Sequence, residues 1–490
     1  MPSRMPQPSY FFIIDFREIY SIVIEKYNWV TRERNLVRID ATGILEMLFT
    51  TIITRAVEGL TNSDVSVRIQ QLIKKGNSEL EKGHLFNAID FFKSGLTSDT
   101  SAYEACILNI LLGHVYFLNG NLSKSFEYTT AAEQITKNSN NIRAQIMVLT
   151  IKEFLYVYEG NFDNAISTFQ AIPTLNAIFL DKHWLSVAYM GQGLAYYYRG
   201  EFLVALENFE QALDLSKKTV QIEREATYLE VMGIAFHDMG NVEKAADCHK
   251  EVLSISRKSN DKVREVYNLG ELMLDYCRLG DLDKALKFGR KAYALCLDLG
   301  LKYHEFDLLH NIATVWKDKG NLNMAKKYAA EALNIAQKEK SDARICRAMN
   351  NLGELYLQLG DIGHAIQHTE DAQILHEKAG DSAVQTSILC NLGLINQKLN
   401  DNKQALQYHN QSLKIADDIG FPYGQLENLI AIGDLHNNKG DVRKAILYYS
   451  KALGIARECG FKKHEFDINK KIENLGLKAF SKKSQDAQTY

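Results

Sequence analysis

An all-α solenoid of repeated helical hairpins is the fold this sequence predicts, and three observations carry the prediction. A glycine followed by Asn, Asp or Glu recurs every 40 residues, small side chains recur at fixed offsets from it, and only five prolines interrupt 490 residues. A modular array is also how a chain of this length buries its apolar side chains without one oversized core.

The turns come first. Glycine stands at Gly120, Gly160, Gly200, Gly240, Gly280, Gly320, Gly360 and Gly440, and position 400 carries Asn400, the residue next best able to take the left-handed conformation of a helix end. Five residues past each turn the chain places Ser125, Ala165, Ala205, Ala245, Ala285, Ala325, Ala365, Ala405 and Ala445. Seven residues before it stand Gly113, Gly193, Gly233, Ala313, Gly353, Gly393 and Gly433, with Glu153 and Met273 departing, and twelve after it Ala132, Ala212, Ala292, Ala332, Ala372 and Ala452 recur. Small residues at fixed positions on two amphipathic segments are what two closely crossing helices require, because a larger side chain would hold the axes apart. Each unit therefore reads as a helical hairpin, with the Asn or Asp after the glycine capping the second helix.

This pattern resembles the tetratricopeptide repeat. An earlier unit carries Gly76, Gly83, Ala88 and Gly95 at equivalent offsets, so the array counts about ten hairpins with turns from Gly83 to Gly440. The common repeat is about 34 residues, so a 40-residue unit adds close to one turn to each helix. Longer repeats of this kind are similar to those of kinesin light chain, Pins-type polarity adaptors and bacterial Rap regulators. The resemblance implies a right-handed superhelix over residues 66–475, ending in a capping helix. Residues 1–65 read as an N-terminal helical segment or cap, and residues 476–490 as a polar tail that frays.

Composition narrows the function. Basic and acidic residues nearly balance, 57 against 60, without a long run of either sign, which argues against nucleic acid and anionic membrane as partners. The apolar N-terminal cluster Tyr10–Ile14 is broken by Asp15 and Arg17, and the later apolar stretch 105–118 is too short to span a bilayer. Seven scattered cysteines without a CxxC pair predict reduced, buried thiols and a cytoplasmic chain. Nothing in the sequence bears on oligomeric state.

Catalytic and metal chemistry find little support. His364 and His368 have the i, i+4 spacing of zinc ligands. In the repeat register, however, position 364 is a surface position and 368 a packing position, so the two histidines are expected in different environments. The twice-used His-Glu-Phe-Asp at His304–Asp307 and His464–Asp467 lies four repeat lengths apart and reads as duplication at helix starts. No phosphate-binding or nucleophile-elbow string occurs. The expectation is a non-enzymatic chain with no cofactor and no metal.

In such a superhelix the resemblance implies that the first helix of each hairpin lines the concave face. In the N-terminal units this wall is apolar and aromatic, with Phe154, Tyr158, Leu194, Tyr197 and Tyr198. It reads either as a groove or as a surface filled by the chain itself. Towards the C-terminus it becomes amide-rich and charged, with His310, Asn311, Arg347, Asn350, Asn351, Glu354, Asn391, Gln397, Lys398, Asp434 and Asn437. Asn and Gln offer donor and acceptor together, which suits a peptide backbone, and Arg347 and Glu354 select charge. The expected function is a scaffold or adaptor that binds a protein or peptide in the concave groove. The alternative is a peptide-responsive signalling regulator of the Rap kind, or the sensor portion of a larger signalling system.

Overall fold

In a computed structural model of the chain, residues 65–486 are described together with Ile53, apart from positions 140, 180, 219–221 and 380–381. Apart from Ile53 and Val65, the segment expected as an N-terminal cap lies outside the described residues. Among those described, every regular element is an α-helix, and the helices alternate in ten hairpins. The first four hairpins pair α1 (Val67–Glu81) with α2 (Leu85–Gly95), α3 (Ala102–Leu118) with α4 (Leu122–Asn138), α5 (Ile142–Glu159) with α6 (Phe162–Phe179), and α7 (Lys182–Tyr198) with α8 (Phe202–Lys217). Then come α9 (Ile222–Asp238) with α10 (Val242–Ser259), α11 (Lys262–Arg278) with α12 (Leu282–Leu299), and α13 (Lys302–Asp318) with α14 (Leu322–Glu339). The last three pair α15 (Asp342–Gln358) with α16 (Ile362–Ala379), α17 (Ser382–Lys398) with α18 (Asn402–Asp418), and α19 (Pro422–Asn438) with α20 (Val442–Glu458). A final α21 (Lys462–Asp486) is a single helix that continues past residue 476, where the sequence predicts a frayed tail to begin. The chain forms two compact units, whose described parts are Ile53 with residues 65–151, and residues 152–486.

The hairpin turn is built as its sequence dictates. At Gly360 the backbone takes φ +83°, the Gly360 N–H donates to Leu357 O at 3.1 Å, and the Asp361 N–H reaches back to Tyr356 O at 2.9 Å. Two carbonyls that the ending helix leaves unpaired are thereby satisfied. Asn400 makes the same turn at φ 62°, with Asp401 N–H on Asn396 O at 2.9 Å. The following Asp then accepts an N–H of the second helix, as Asp281 does from Lys284 at 3.1 Å and Asp401 from Gln404 at 2.9 Å.

The alanines five past the turn, from Ala165 to Ala445, are all fully buried, as are Ser125 and the six alanines at the later offset. Wherever one of the pair is glycine, the residue seven before the turn faces the one nine after it across the crossing. A Cβ at Gly193 would lie 2.4 Å from the Phe209 ring, at Gly233 2.4 Å from His249, and at Gly433 2.5 Å from Tyr449. Met273 inverts this arrangement: its partner is Gly289, where a Cβ would lie 2.4 Å from Met273 Sδ. Large against small and small against large fill the same space.

Glu153, the other departure, is fully buried, and neither carboxylate oxygen has a hydrogen-bond partner among the described residues. Burial raises its pKa well above the usual carboxylate range.

Candidate partner-binding surface

The polar residues of the later first helices meet along one face of the second unit. Lys317 of α13 donates to both Glu354 oxygens of α15, at 2.7 and 2.8 Å, and Gln358 joins Glu354 at 3.0 Å. Asp307 of α13 pairs with Arg344 at 3.3 Å and Arg347 at 3.4 Å, both from α15. The Asn391 amide of α17 donates to Asn350 Oδ1 at 2.8 Å and to Asn350 O at 3.0 Å, and Gln397 reaches Ala431 O of α19 at 3.3 Å. Asp434 of α19 takes Lys471 of α21 at 2.6 Å and the Tyr449 hydroxyl at 2.5 Å. A polar staple thus joins each first helix to the next.

Electrostatics follow this packing. Burial lowers the Lys317 pKa, but the carboxylates of Glu354 and Glu427 outweigh burial and raise it. Glu427 is itself raised, by burial first and then by the Glu354 carboxylate. His310, half-buried and stacked on Phe306, is pushed down to about 3 by burial and then by Arg347 and Lys317, so it is neutral at pH 7.

One expectation needs correcting. Asn350, Asn351 and Asn391 are expected to meet a peptide on the open wall, yet they are buried, and Asn391 and Asn350 bond to each other across the gap between their helices. The Asn351 amide nitrogen is buried without a partner among the described residues. The side chains left open on this wall are fewer. Lys398 and Gln358 are exposed, while Arg347, Glu354, Glu427, Gln397, Asn437, Asn311 and Asp434 are half-buried. Glu427 acquires its importance only from the proximity of Glu354 and Lys317, which no spacing in the sequence announces.

The aromatic wall is not an open groove. Phe154, Leu194 and Tyr197 are buried and Tyr158 and Tyr198 half-buried. The Tyr197 hydroxyl donates to Asp238, its ring packs edge-on against Tyr198 and Phe202, and Tyr198 stacks on Phe162. Tyr197 and Tyr198 are thus engaged by neighbouring side chains.

The remaining candidates resolve into packing as well. His364 is exposed and pairs with Asp361 at 2.7 Å while His368 is half-buried, as the register predicts, and both stack on Tyr356 with centroids 5.0 and 5.3 Å away. The same sandwich appears in a sister repeat, where Lys284 lies over Tyr276, which stacks on Phe288. In the repeated tetrapeptide, Asp307 is an arginine partner and His464 packs edge-on against Tyr423 and Phe461. No group of three potential metal ligands occurs among the described residues. All seven cysteines are free; Cys106, Cys296, Cys346 and Cys390 are buried, whereas Cys248, Cys277 and Cys459 are only half-buried, short of the full burial predicted. Among the described residues no helix is long and apolar enough to cross a membrane.

Family models for the tetratricopeptide repeat match residues 304–378, 384–458 and 190–255, on the same hairpins whose turns and crossings are described above. The chain carries tetratricopeptide repeats. Sequence comparison with curated proteins gives no match. Among solved structures, this repeat array is similar to the apo form of RapI, at 13% identity and TM-score 0.57, covering 71% of this chain and 96% of that one. It is also similar to a signal-transduction ATPase with numerous domains from Pyrococcus horikoshii that has a tetratricopeptide-repeat sensor. There the identity is 17% and the TM-score 0.52, over 74% of this chain and 53% of that one. A Rap protein complexed with competence and sporulation factor matches at 11% identity and TM-score 0.52, over 73% of this chain and 99% of that one. These likenesses establish the repeat fold.

Proposed function

We propose that this chain is a non-enzymatic scaffold that binds a protein or an extended peptide on the polar wall of its later first helices. The observation that carries the reading is the row of staples from Lys317–Glu354 to Lys471–Asp434. They fix the wall's side chains before any partner arrives, and leave Gln358 and Lys398 exposed and Arg347 and Asn437 half-buried along it. A preorganised polar surface loses little side-chain freedom on binding. Mixed charges and amides along it suit a peptide backbone with side chains of both signs. Asn350, Asn351 and Asn391 then act as supports of the wall, and Lys398, Gln397, Asn437, Asp434, Asn311 and His310 as its contact surface. The free thiols fit a cytoplasmic location.

The test is capture of partners by the intact chain, followed by affinity measurement with Arg347→Ala/Lys398→Ala against wild type. Removing two charged contacts weakens binding by about 1.5–3 kcal/mol each, a loss of more than tenfold, with helicity and melting temperature unchanged. Full affinity in this variant would move the site off the polar wall.

A further inference from the structure

Two turn glycines differ from all the others. At Gly83, Gly120, Gly160, Gly200, Gly280, Gly320, Gly360 and Gly440 an added Cβ would meet open space. At Gly240 it would lie 2.3 Å from Glu458 O and 3.0 Å from Gly460 N, and at Gly460 it would lie 2.6 Å from Gly240 O. The turn after α9 and the turn before α21 therefore press backbone against backbone across five and a half repeats of the second unit. Side chains secure the contact. Arg278, at the end of α11, donates to His237 O at 2.7 Å and to Cys459 O at 3.4 Å, with its guanidinium 4.9 Å from the centre of the Phe461 ring. Lys463 of α21 donates to Asp318 O, at the end of α13, at 2.9 Å. Three successive first helices, α9, α11 and α13, thus end on one short segment, residues 458–463.

A solenoid whose repeats touch only their neighbours is an open spring, whose pitch is the sum of small rotations. A contact between distant repeats closes that spring. We infer that residues 458–463 are a clasp that holds the repeats from α9 to α21 as a closed turn of the solenoid and fixes its pitch, and that releasing the clasp lets that turn open. Each bond in it is modest, and the segment leaves as one piece when the two glycine turns part. The clasp also borders the polar wall, because Asp318 is the neighbour in sequence of Lys317, which holds Glu354.

Two native thiols lie in the contact and report on it. Cys459 supplies the carbonyl that Arg278 grips, and the Cys277 thiol points at Asp318 Oδ2 from 3.6 Å. Both are half-buried and held protonated by burial, so they react slowly while the clasp is shut. Cys346 is buried elsewhere, donating to Ala372 O at 3.1 Å, and serves as the internal reference.

The experiment compares Gly240→Ala with Gly280→Ala in the full chain. The two glycines have nearly the same φ, +77° and +79°, so both variants bear the same strain of alanine in a left-handed turn, but only Gly240→Ala meets the opposite backbone. The readouts are N-ethylmaleimide modification, located by mass spectrometry, and the radius of gyration from small-angle scattering. The clasp predicts severalfold faster modification of Cys277 and Cys459 relative to Cys346, and a larger radius, in Gly240→Ala and not in Gly280→Ala. Identical behaviour of the two variants overturns it. If Gly240→Ala does not fold, Arg278→Gln/Lys463→Gln decides, since it removes the grips and leaves the backbone alone: the same opening supports the clasp, and wild-type radius and reactivity refute it.

Discussion

The helix crossing offers a quantitative test, because the array contains the same joint built in two ways. In α7 and α8 the small residue is Gly193 and the large one is Phe209, whereas in α11 and α12 the order is reversed, with Met273 against Gly289. The perturbation is to transplant the second arrangement into the first, as Gly193→Met with Phe209→Gly. Each change alone is costly. A Cβ at 193 already falls 2.4 Å from a fully buried ring, so a methionine there overpacks by about 3 kcal/mol, the upper end for inserted core atoms. Emptying position 209 leaves a cavity and costs about 3–5 kcal/mol, with about 1 kcal/mol more for glycine inside a helix. Additive behaviour gives a double variant roughly 7–9 kcal/mol less stable than wild type. If the two side chains compete for one space, the methionine enters the hole left by the ring, and the double recovers about 3 kcal/mol or more of that sum. Native-state hydrogen exchange of the α7 and α8 amides is the appropriate assay, since it reads local stability where a long repeat array does not unfold in one step. Strict additivity in the exchange data would refute the pairing and the register on which it rests.

Further outcomes follow from the buried polar groups. Glu153 has its pKa raised in the folded chain by burial, so its contribution is complete below the unfolded carboxylate range and is lost as pH rises towards the folded value. Glu153→Gln removes that titration, so its stability relative to wild type improves by about 1.4 kcal/mol per pH unit above roughly pH 4.5 until the folded carboxyl ionises. Native-state hydrogen exchange of the α5 amides at pH 5, 6, 7 and 8, corrected for intrinsic exchange, measures the slope, and a flat difference contradicts it. Asn391→Ala leaves the buried Asn350 Oδ1 without its donor and costs about 1–3 kcal/mol. A melting temperature equal to that of wild type would show that this amide is solvated.

Much of the fold could be read from the chain because its constraints are local and repeated. A left-handed turn needs glycine or asparagine, and a close crossing needs a small residue, so Gly360, Asn400 and Ala365 announce themselves at fixed spacing. The Met273–Gly289 joint was visible only to a reader comparing two offsets together, since either position alone looks like an exception. A second set of left-handed positions closes the hairpins on one another at Asn260, Gly300, Lys340, Gly420 and Gly460. Lys340 conceals this set, because lysine rarely takes such a φ. The polar wall was legible in its location but not in its state. An asparagine is written the same way whether it faces water or another asparagine, and only the 2.8 Å between Asn391 and Asn350 distinguishes the two. The clasp left no periodic trace, for it joins residues 181 positions apart.

The central claim is that a partner lies along the polar wall, and site-specific photocrosslinking addresses it most directly. Benzoylphenylalanine is placed at Gln358 or Lys398, which are exposed on first helices, and separately at Ile374, which is 62% exposed on the second helix α16. Each full-length variant is irradiated with the partner captured by the unmodified chain, and the crosslinked peptides are identified by mass spectrometry. The account predicts crosslinks from positions 358 and 398 and none from 374. Crosslinks from position 374 alone would place the partner on the opposite side of the hairpins and contradict it.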